Sequence, residues 1–306
     1  MRVGKVRLAA IATGCVLSWV GMPTQEAASD QQATFRTRTD VVSVNVSVKQ
    51  GRQPVGNLTA GDFALTDNGV EQTVDALSLA RVPIDLTLVM AGYESPSRDS
   101  LDAYFRDLTS ASNVRRSLLP QDRLRLVWVQ TEIRGGLVGN EESLWANEAM
   151  DIEHYMSVSV VDGLFYAMAW PVEPDRRHLV VAFTDGFDRY SVLEMETLPR
   201  LAAHSDAVLH VVLRPNSHSQ EMLRIEWETD HEIVSEAARR TGGTVRSARD
   251  ASQDLAAIID DYRTSYVLQY APRGGPAPGW HGLRVRVKRP GRFDVRARRG
   301  YEVRRD

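Results

Sequence analysis

The chain has 306 residues, enough for one large domain or two modest ones with a proper hydrophobic core. Its composition is ordinary for a globular protein, with 43% hydrophobic, 25% charged and 7% aromatic residues. A formal net charge of -3 argues against a dedicated nucleic-acid binder, because such proteins are usually basic over a whole domain.

The first residues predict a targeting segment. Basic residues precede an apolar run that ends at Val20, and small residues near Ala28 offer a cleavage site, so residues 1–29 are assigned to a signal peptide. We therefore expect an exported protein, either periplasmic or secreted to the cell surface. Membrane association is expected only if this segment is retained or if Cys15, the single cysteine, is lipidated. Once the segment is cleaved, the mature chain is expected to have no disulfide and no thiol chemistry.

Residues 34–81 are predicted to form a small N-terminal β segment. Valines alternate with polar residues in Val41–Val48, which favours a strand with one buried and one solvated face. Asn68-Gly69 supplies the positive φ angles of a tight turn and predicts a hairpin between Phe63–Thr66 and Val70–Leu77. Two or three strands rarely stand alone, so this segment needs a partner elsewhere in the chain.

Strand-like and helix-like patterns alternate in residues 82–264, which is typical of a parallel sheet with flanking helices. The predicted strands are Ile84–Met90, Arg123–Gln130, His178–Phe183, Ala207–Leu213 and, more weakly, Thr244–Ser247. Apolar residues recur at helical spacing in residues 101–108, 161–168, 233–237 and 254–262. Gly135-Gly136 and Gly242-Gly243 are interpreted as turns, and Pro215–Asp230 as an irregular surface excursion.

The β pattern resumes in residues 265–306. Ser265–Ala271 reads as a strand, and Leu283–Lys288 with Phe293–Ala297 reads as a hairpin through Pro290-Gly291. Basic residues alternate with valines here, which most simply makes the solvated face of a sheet. Recognition of an anionic envelope polymer or a lipid head group by this basic face is the alternative.

The order of these parts resembles the bacterial exported proteins described as VWFA-related domain proteins, which contain a von Willebrand factor type A (VWA)-like domain. The stretches that carry the resemblance are Val44–Val48, Asn57–Phe63, Asp67–Gly69 with Gln72, Phe183–Gly186, Ser265–Tyr270 and Arg296–Tyr301. It implies an α/β fold class: a VWA-like, Rossmann-like, mostly parallel sheet at residues 82–264. This domain would be inserted in a β-sandwich formed by residues 34–81 and 265–306.

The resemblance also implies a divalent-cation site at the carboxyl end of the sheet. In the family an Asp-x-Ser-x-Ser pattern, a Thr and an Asp hold Mg²⁺, an ion that takes about six oxygen ligands. This chain has Met90, Gly92 and Glu94 at the first three positions and Val158 at the Thr position, so Asp185 is the ligand that it retains. No cofactor is therefore expected, and Mg²⁺ is disfavoured.

Two interpretations of this edge stay open. In the first, the rim of the sheet contacts a protein partner without metal, through Gly92, Tyr93, Glu94, Ser95, Ser159, Asp185 and Asp188. In the second, Glu94, Ser95 and Asp185, with Ser159, form a rewired cation site. Asp188 has a competing interpretation as a loop residue that is merely solvated.

Enzymatic interpretations have little support. The 7 histidines show no H-E-x-x-H or other metal-binding spacing, and neither a G-x-S-x-G elbow nor a phosphate-binding glycine loop occurs. We therefore expect a non-enzymatic interaction or adhesion-type protein that binds a protein partner. Trp227 and Trp280, in polar surroundings, are candidates for exposed contacts.

Overall fold

The computed structural model describes residues 41–78, 82–91, 114–129, 133–138, 159–173, 175–186, 188, 190–213, 221–248, 250–273 and 277–303. All of them belong to one compact unit. The signal peptide, residues 34–40 and the helical pattern at residues 101–108 lie outside the described residues.

A mostly parallel sheet forms the centre of the α/β part. Its strands are β6 (Ile84–Ala91), β7 (Arg123–Val129), β8 (Ile133–Val138), β9 (Arg177–Thr184), β10 (Val208–Leu213) and β11 (Val245–Ser247). They lie in the order β11-β10-β9-β6-β7-β8, in which β8 is antiparallel to its neighbour. The chain runs from β6 to one edge and then from β9 to the other, so the sheet is doubly wound. The α/β class, with a mostly parallel sheet, is confirmed.

Helices cover both faces of this sheet. The described helices are α1 (Val160–Ala169), α2 (Thr197–His204), α3 (Glu221–Thr241) and α4 (Ala251–Arg263). Leu164 of α1 packs with Val89 on one face, whereas Ile258 of α4 packs with Leu86 on the other. Because successive strand residues point to opposite faces, every residue of β6 is buried. No described helix combines the length and the apolar character needed to cross a membrane.

The remaining strands form two antiparallel sheets. They are β1 (Val42–Gln50), β2 (Gln53–Pro54), β3 (Phe63–Asp67), β4 (Val70–Gln72), β5 (Asp75–Ser78), β12 (Tyr266–Tyr270), β13 (Gly279–Val287), β14 (Asp294–Ala297) and β15 (Gly300–Val303). One sheet has the order β14-β1-β12-β5 with β2 beside β1, and the other β15-β13-β3-β4. Both line one hydrophobic core, in which Val46, Leu65 and Leu268 are fully buried. Each sheet thus combines strands from both ends of the chain.

The Asn68-Gly69 turn forms as the sequence indicates. Both residues have positive φ angles, 47° and 83°, and they join β3 to β4. The second arm of the hairpin is shorter than predicted, because β4 ends at Gln72 and the chain crosses to β5 in the other sheet. The single predicted strand Val70–Leu77 is therefore two strands, one in each sheet.

On the polar face of β1, Ser43 is exposed as predicted, but Ser47 is buried and Asn45 half-buried, so the prediction of a solvated face is wrong at these two positions. The Ser47 hydroxyl donates a hydrogen bond to Asp261 at 2.9 Å, and the Asn45 side-chain oxygen accepts one from Arg177 at 3.1 Å. The alternation identified the apolar face correctly. Its polar face packs against the α/β part, which satisfies the polar groups by hydrogen bonding.

Arg177, the first residue of β9, joins the entry and the exit of the α/β part. Its backbone amide donates to the carbonyl of Pro83, just before β6, at 2.9 Å. Its guanidinium donates to the carbonyl of Tyr262 at 2.7 Å and to the hydroxyl of Ser265 at 2.6 Å, where α4 leads into β12. One buried residue, through its backbone amide and its side chain, thus contacts both points at which the chain enters and leaves the α/β part.

Asp261 on α4 joins the α/β part to β1 and β14. Its buried carboxylate accepts hydrogen bonds from Ser47 and Arg296 and forms an ion pair with Lys49 at 3.0 Å. Burial by itself would raise the pKa of this carboxyl, but the charge and hydrogen bonds of Arg296, Lys49 and Ser47 outweigh burial and hold the pKa below its usual range.

Asp67 gathers three aromatic side chains at one end of the two antiparallel sheets. Its carboxylate accepts hydrogen bonds from the hydroxyls of Tyr270 and Tyr301 at 2.8 and 2.9 Å, and Nδ1 of His281 lies 2.9 Å away. The ring of His281 also stacks on Tyr301, with centroids 4.8 Å apart. Burial raises the pKa of Tyr301 to about 12, so its hydroxyl stays a donor. Asp67, Tyr270 and Tyr301, which lie in stretches that carry the family resemblance, therefore link β3, β12 and β15, and His281 adds β13.

Three local predictions are wrong. Gly135-Gly136 is not a turn but lies within β8, opposite Val127 and Leu126 of β7. The residues from Glu221 onward are not an irregular excursion, because no proline or glycine interrupts the sequence before Thr241 and α3 runs through it. Pro290-Gly291 does not close a hairpin, since β13 pairs with β3 and β15 whereas β14 pairs with β1.

We expect Asp261→Asn to lower the free energy of unfolding by about 2–3 kcal/mol. This is less than the ~3–5 kcal/mol of a fully buried pair, because Lys49 and Arg296 remain partly exposed. Since the folded-state pKa is lowered, the difference should be present above the unfolded Asp pKa of about 3.9 and disappear as the pH falls through the folded value. Urea denaturation at several pH values measures it. The exposed neighbour supplies the control, Asp260→Asn, and an equal effect of both variants would contradict the prediction.

Candidate functional site

The candidate site is the edge of the parallel sheet where β6 and β9 end side by side. Met90 of β6 lies opposite Phe183 of β9, so the segments that follow these strands leave the sheet at the same edge. In open α/β sheets, ligands bind outside this edge. Four of the predicted rim residues follow β6 and lie outside the described part of the chain: Gly92, Tyr93, Glu94 and Ser95.

Met90 stands where the family resemblance would require the first carboxylate. Its side chain is 1% exposed and packs in the apolar cluster that contains Trp128 and Phe183. A buried thioether supplies neither the charge nor the oxygen atom that Mg²⁺ requires. The end of β6 is therefore part of the hydrophobic core.

Ser159 and Asp185 both lie beneath the rim. Ser159 is 2% exposed and precedes α1; its carbonyl accepts the amide of Gly163 at 3.0 Å, while its side chain makes no capping bond. Asp185 is 4% exposed and follows Thr184, whose hydroxyl accepts the amide of Gly186 at 3.0 Å. The end of β9 and the start of α1 thus bring two predicted rim residues to this edge, at its base.

Asp188 has a structural role, and its interpretation as a merely solvated residue is wrong. Its Oδ1 accepts hydrogen bonds from the amide of Val161 at 3.2 Å and from the hydroxyl of Ser191 at 2.6 Å. The Ser191 oxygen in turn accepts the amide of Asp162 at 3.1 Å. A carboxylate at a helix N-terminus satisfies amides that have no partner within the helix. Burial raises the pKa of Asp188.

Asp162 completes a reciprocal set of hydrogen bonds. From the first turn of α1, its carboxylate accepts the amides of Val192 at 2.8 Å and Leu193 at 3.0 Å. Asp188 and residues 190–193, which we call the clamped loop, are thereby attached to α1 in both directions. No spacing in the sequence signals these contacts, because they join residues 27–31 positions apart.

The described side chains at this edge do not supply the oxygen ligands that a Mg²⁺ ion requires. Met90 is apolar, and Asp162 and Asp188 direct oxygens toward backbone amides. Within the described ranges, no group of three or more His, Cys, Asp or Glu side chains is placed to hold a metal ion. An ion that takes about six oxygen ligands needs more than Asp185 and nearby hydroxyls.

Some basic side chains of the C-terminal strands are exposed to solvent, and others form ion pairs within the chain. Arg284 and Arg286 of β13 are exposed, with Val285 between them packed toward the core. Arg289 pairs with Asp62 at 2.7 Å, Arg299 with Glu236 at 3.0 Å, and Arg296 with Asp261. Part of the positive charge therefore has an internal structural role.

Of the two tryptophans that the sequence singled out, Trp280 is partly exposed on β13, with the Arg240 guanidinium 5.6 Å from its ring centre. The side chain of Trp227 lies outside the described part of the structure.

No family model and no curated protein matches the chain. Solved structures do. Proximal thread matrix protein 1 from the mussel byssus aligns at 14% identity and a TM-score of 0.44, over 59% of this chain and 48% of that protein, so the chain spans about half its length. The SpRpn10 VWA domain aligns at 14% and 0.37, over 57% and 93%. The pilus adhesin SpaC from Lactobacillus rhamnosus GG aligns at 12% and 0.42, over 72% and 34%. With such scores these matches carry nothing about ligand or partner.

We expect Asp188→Asn to remove a pH dependence from stability. The amide oxygen can still accept from Val161 and Ser191, but the group no longer ionises. Because burial raises the pKa of Asp188, its contribution to stability is fully present below the unfolded pKa of about 3.9 and is lost as the pH rises through the folded value. Urea denaturation should show the variant gaining stability relative to wild type across that window.

The control is Asp188→Ala, which removes the helix cap and should cost about 1 kcal/mol even where the carboxyl is protonated. A difference between wild type and Asp188→Asn that stays constant with pH would contradict this account of the clamped loop.

Proposed function

We propose that the chain is an exported, non-enzymatic protein that binds a protein partner through the carboxyl-end rim of its VWA-like sheet, without a metal ion. The proposed rim consists of Gly92, Tyr93, Glu94, Ser95, Ser159, Asp185 and Asp188. The leader at residues 1–29 supports export. The lack of any mechanism-bearing motif in the sequence supports a role in binding.

The observation that carries the proposal is the clamped loop. Its backbone is held to α1 by the reciprocal bonds of Asp162 and Asp188, while it exposes Tyr190 and Val192 to solvent. A surface that is ordered before binding loses less conformational entropy when the partner arrives. Asp188, Ser159 and Asp185 would then shape the rim from beneath, and the outer contacts would come from their neighbours.

The absence of a metal requirement has separate support. Met90 places an apolar side chain at the end of β6, and the carboxylates of Asp162 and Asp188 bond to backbone amides. A partner that relied on a bridging cation would need more oxygen ligands than these residues supply. The rewired alternative, with Glu94, Ser95 and Asp185, predicts the opposite behaviour and can be tested beside it.

Capture of exported proteins on the immobilised mature chain tests the proposal. We expect one specific partner, retained equally in EDTA and in Mg²⁺. Tyr93→Ala and Glu94→Ala should each weaken retention about fivefold or more, about 1 kcal/mol, because they alter the outer rim. Glu71→Ala on β4 is the matched control, since Glu71 is exposed in the antiparallel part.

Strict dependence on Mg²⁺ would reject the metal-free rim and favour the cation site of Glu94, Ser95 and Asp185. Equal retention by Glu94→Ala and Glu71→Ala would place the contact away from the rim.

A further inference from the structure

An apolar cavity of about 480 Å³, which is widely open to solvent, lies between α1 and the clamped loop. Its walls include the side chains of Phe165, Tyr166, Trp170, Pro171, Val192 and Leu193. A volume in this range accepts a bulky side chain or a small ligand. Such a cavity directly beside the proposed rim would give a partner an anchoring point.

Apolar side chains are exposed to solvent at the entrance to the cavity. Phe165 of α1 is 41% exposed and Val192 of the clamped loop is 90% exposed, while Tyr190 on the same loop is 51% exposed. A lone exposed apolar residue is ordinary, but several beside one concave apolar surface mark an interaction site.

The cavity is held in shape before any partner binds. Asp162 accepts the backbone amides of Val192 and Leu193, so the most exposed of these side chains projects from a fixed backbone. Trp170 packs edge-on against Tyr166, with ring centroids 5.1 Å apart, and the Arg125 guanidinium lies 4.4 Å from the Trp170 ring. Aromatic anchors in preformed, apolar pockets dominate the energy of protein interfaces.

The charges near the entrance indicate which side chains should flank the residue that the partner inserts into the cavity. The carboxylate of Asp162 lies in the cavity wall, and Glu194 and Glu196 are exposed directly after Leu193 of that wall. Interfaces pair patches of opposite charge, which speeds encounter and excludes partners of the same sign.

We propose that this cavity receives a bulky apolar side chain, flanked by lysine or arginine, from the protein partner. The inference rests on the proposed function, because it names the chemistry that the rim would recognise. The apolar side chain fills the space between Phe165 and Val192, and its basic neighbours lie against Glu194 and Glu196.

Two labelled pentapeptides test the proposal by fluorescence anisotropy on the mature chain. One carries a central tryptophan between lysine pairs, and the other carries the same tryptophan between glutamate pairs. We expect the lysine peptide to bind at least tenfold more tightly at low salt, and the difference to shrink as salt is added. Equal binding of the two peptides, or no binding of either, would overturn the proposal.

Variants then locate the contact. Phe165→Ser should weaken the lysine peptide about tenfold and Val192→Ser about fivefold, because each removes apolar area that the tryptophan would cover. Val192 is so exposed that its replacement leaves folding intact. The matched control is Val70→Ser on β4, which is 53% exposed and lies in the antiparallel part, and it should change nothing.

The two proposals fail separately. If partner capture is sensitive to Glu94→Ala but not to Val192→Ser, and the peptides show no preference, the cavity inference is overturned and the rim proposal stands. If the peptides bind as expected and no partner is captured through the rim, the proposed function falls and the cavity remains a binding site.

Discussion

The contacts of Arg177 are the interaction on which the rest of this structure depends. Through one residue, the carbonyl before β6 and the carbonyl at the end of α4 are held in place, so the α/β part begins and ends at the same point. The guanidinium continues to Ser265 and Asn45, which belong to the segment before β12 and to β1. Arg177 therefore contacts β1 and the start of β12, two strands that pair with each other.

Asp261 and Asp67 extend the same arrangement in two directions. Asp261 fixes β1 and β14 against α4, and Asp67 fixes β3 against strands from the C-terminal end. Both are buried carboxylates whose partners come from distant parts of the sequence. Such groups are costly to bury without partners, so each contact forms correctly or not at all.

The sequence could predict features that depend on a continuous run of residues or on two neighbouring ones. The parallel strands appear as runs rich in apolar residues, because both of their faces are buried. The Asn68-Gly69 turn follows from the backbone freedom of two residues. The sequence could not say that Ser47 and Asn45 are covered, because their partners lie on α4 and β9. For the same reason the sequence predicted a turn at Gly135-Gly136, because only its pairing with β7 places it in a strand.

In the candidate site, too, some features were predictable from the sequence and others were not. The position of Asp185 after a buried strand was predictable, since the carboxyl ends of parallel strands meet at one edge. The function of Asp188 was not, because its partner is the amide of Val161, far from it in sequence. The exposed Val192 carries no sequence signal. It becomes meaningful only when Asp162 is seen to hold its backbone beside an apolar cavity.

The mixing of strands from both ends of the chain has a consequence for the order of folding. During synthesis β1–β5 emerge first and must wait for β12–β15; the amide of Leu58, for example, bonds to the hydroxyl of Tyr266, 208 residues later. Meanwhile their apolar faces and open edges invite wrong pairings. The α/β part can fold from neighbouring segments, and its completion at Tyr262 brings the two ends together, which shortens the search for the long-range contacts. The α/β part therefore acts as the template on which the antiparallel part closes.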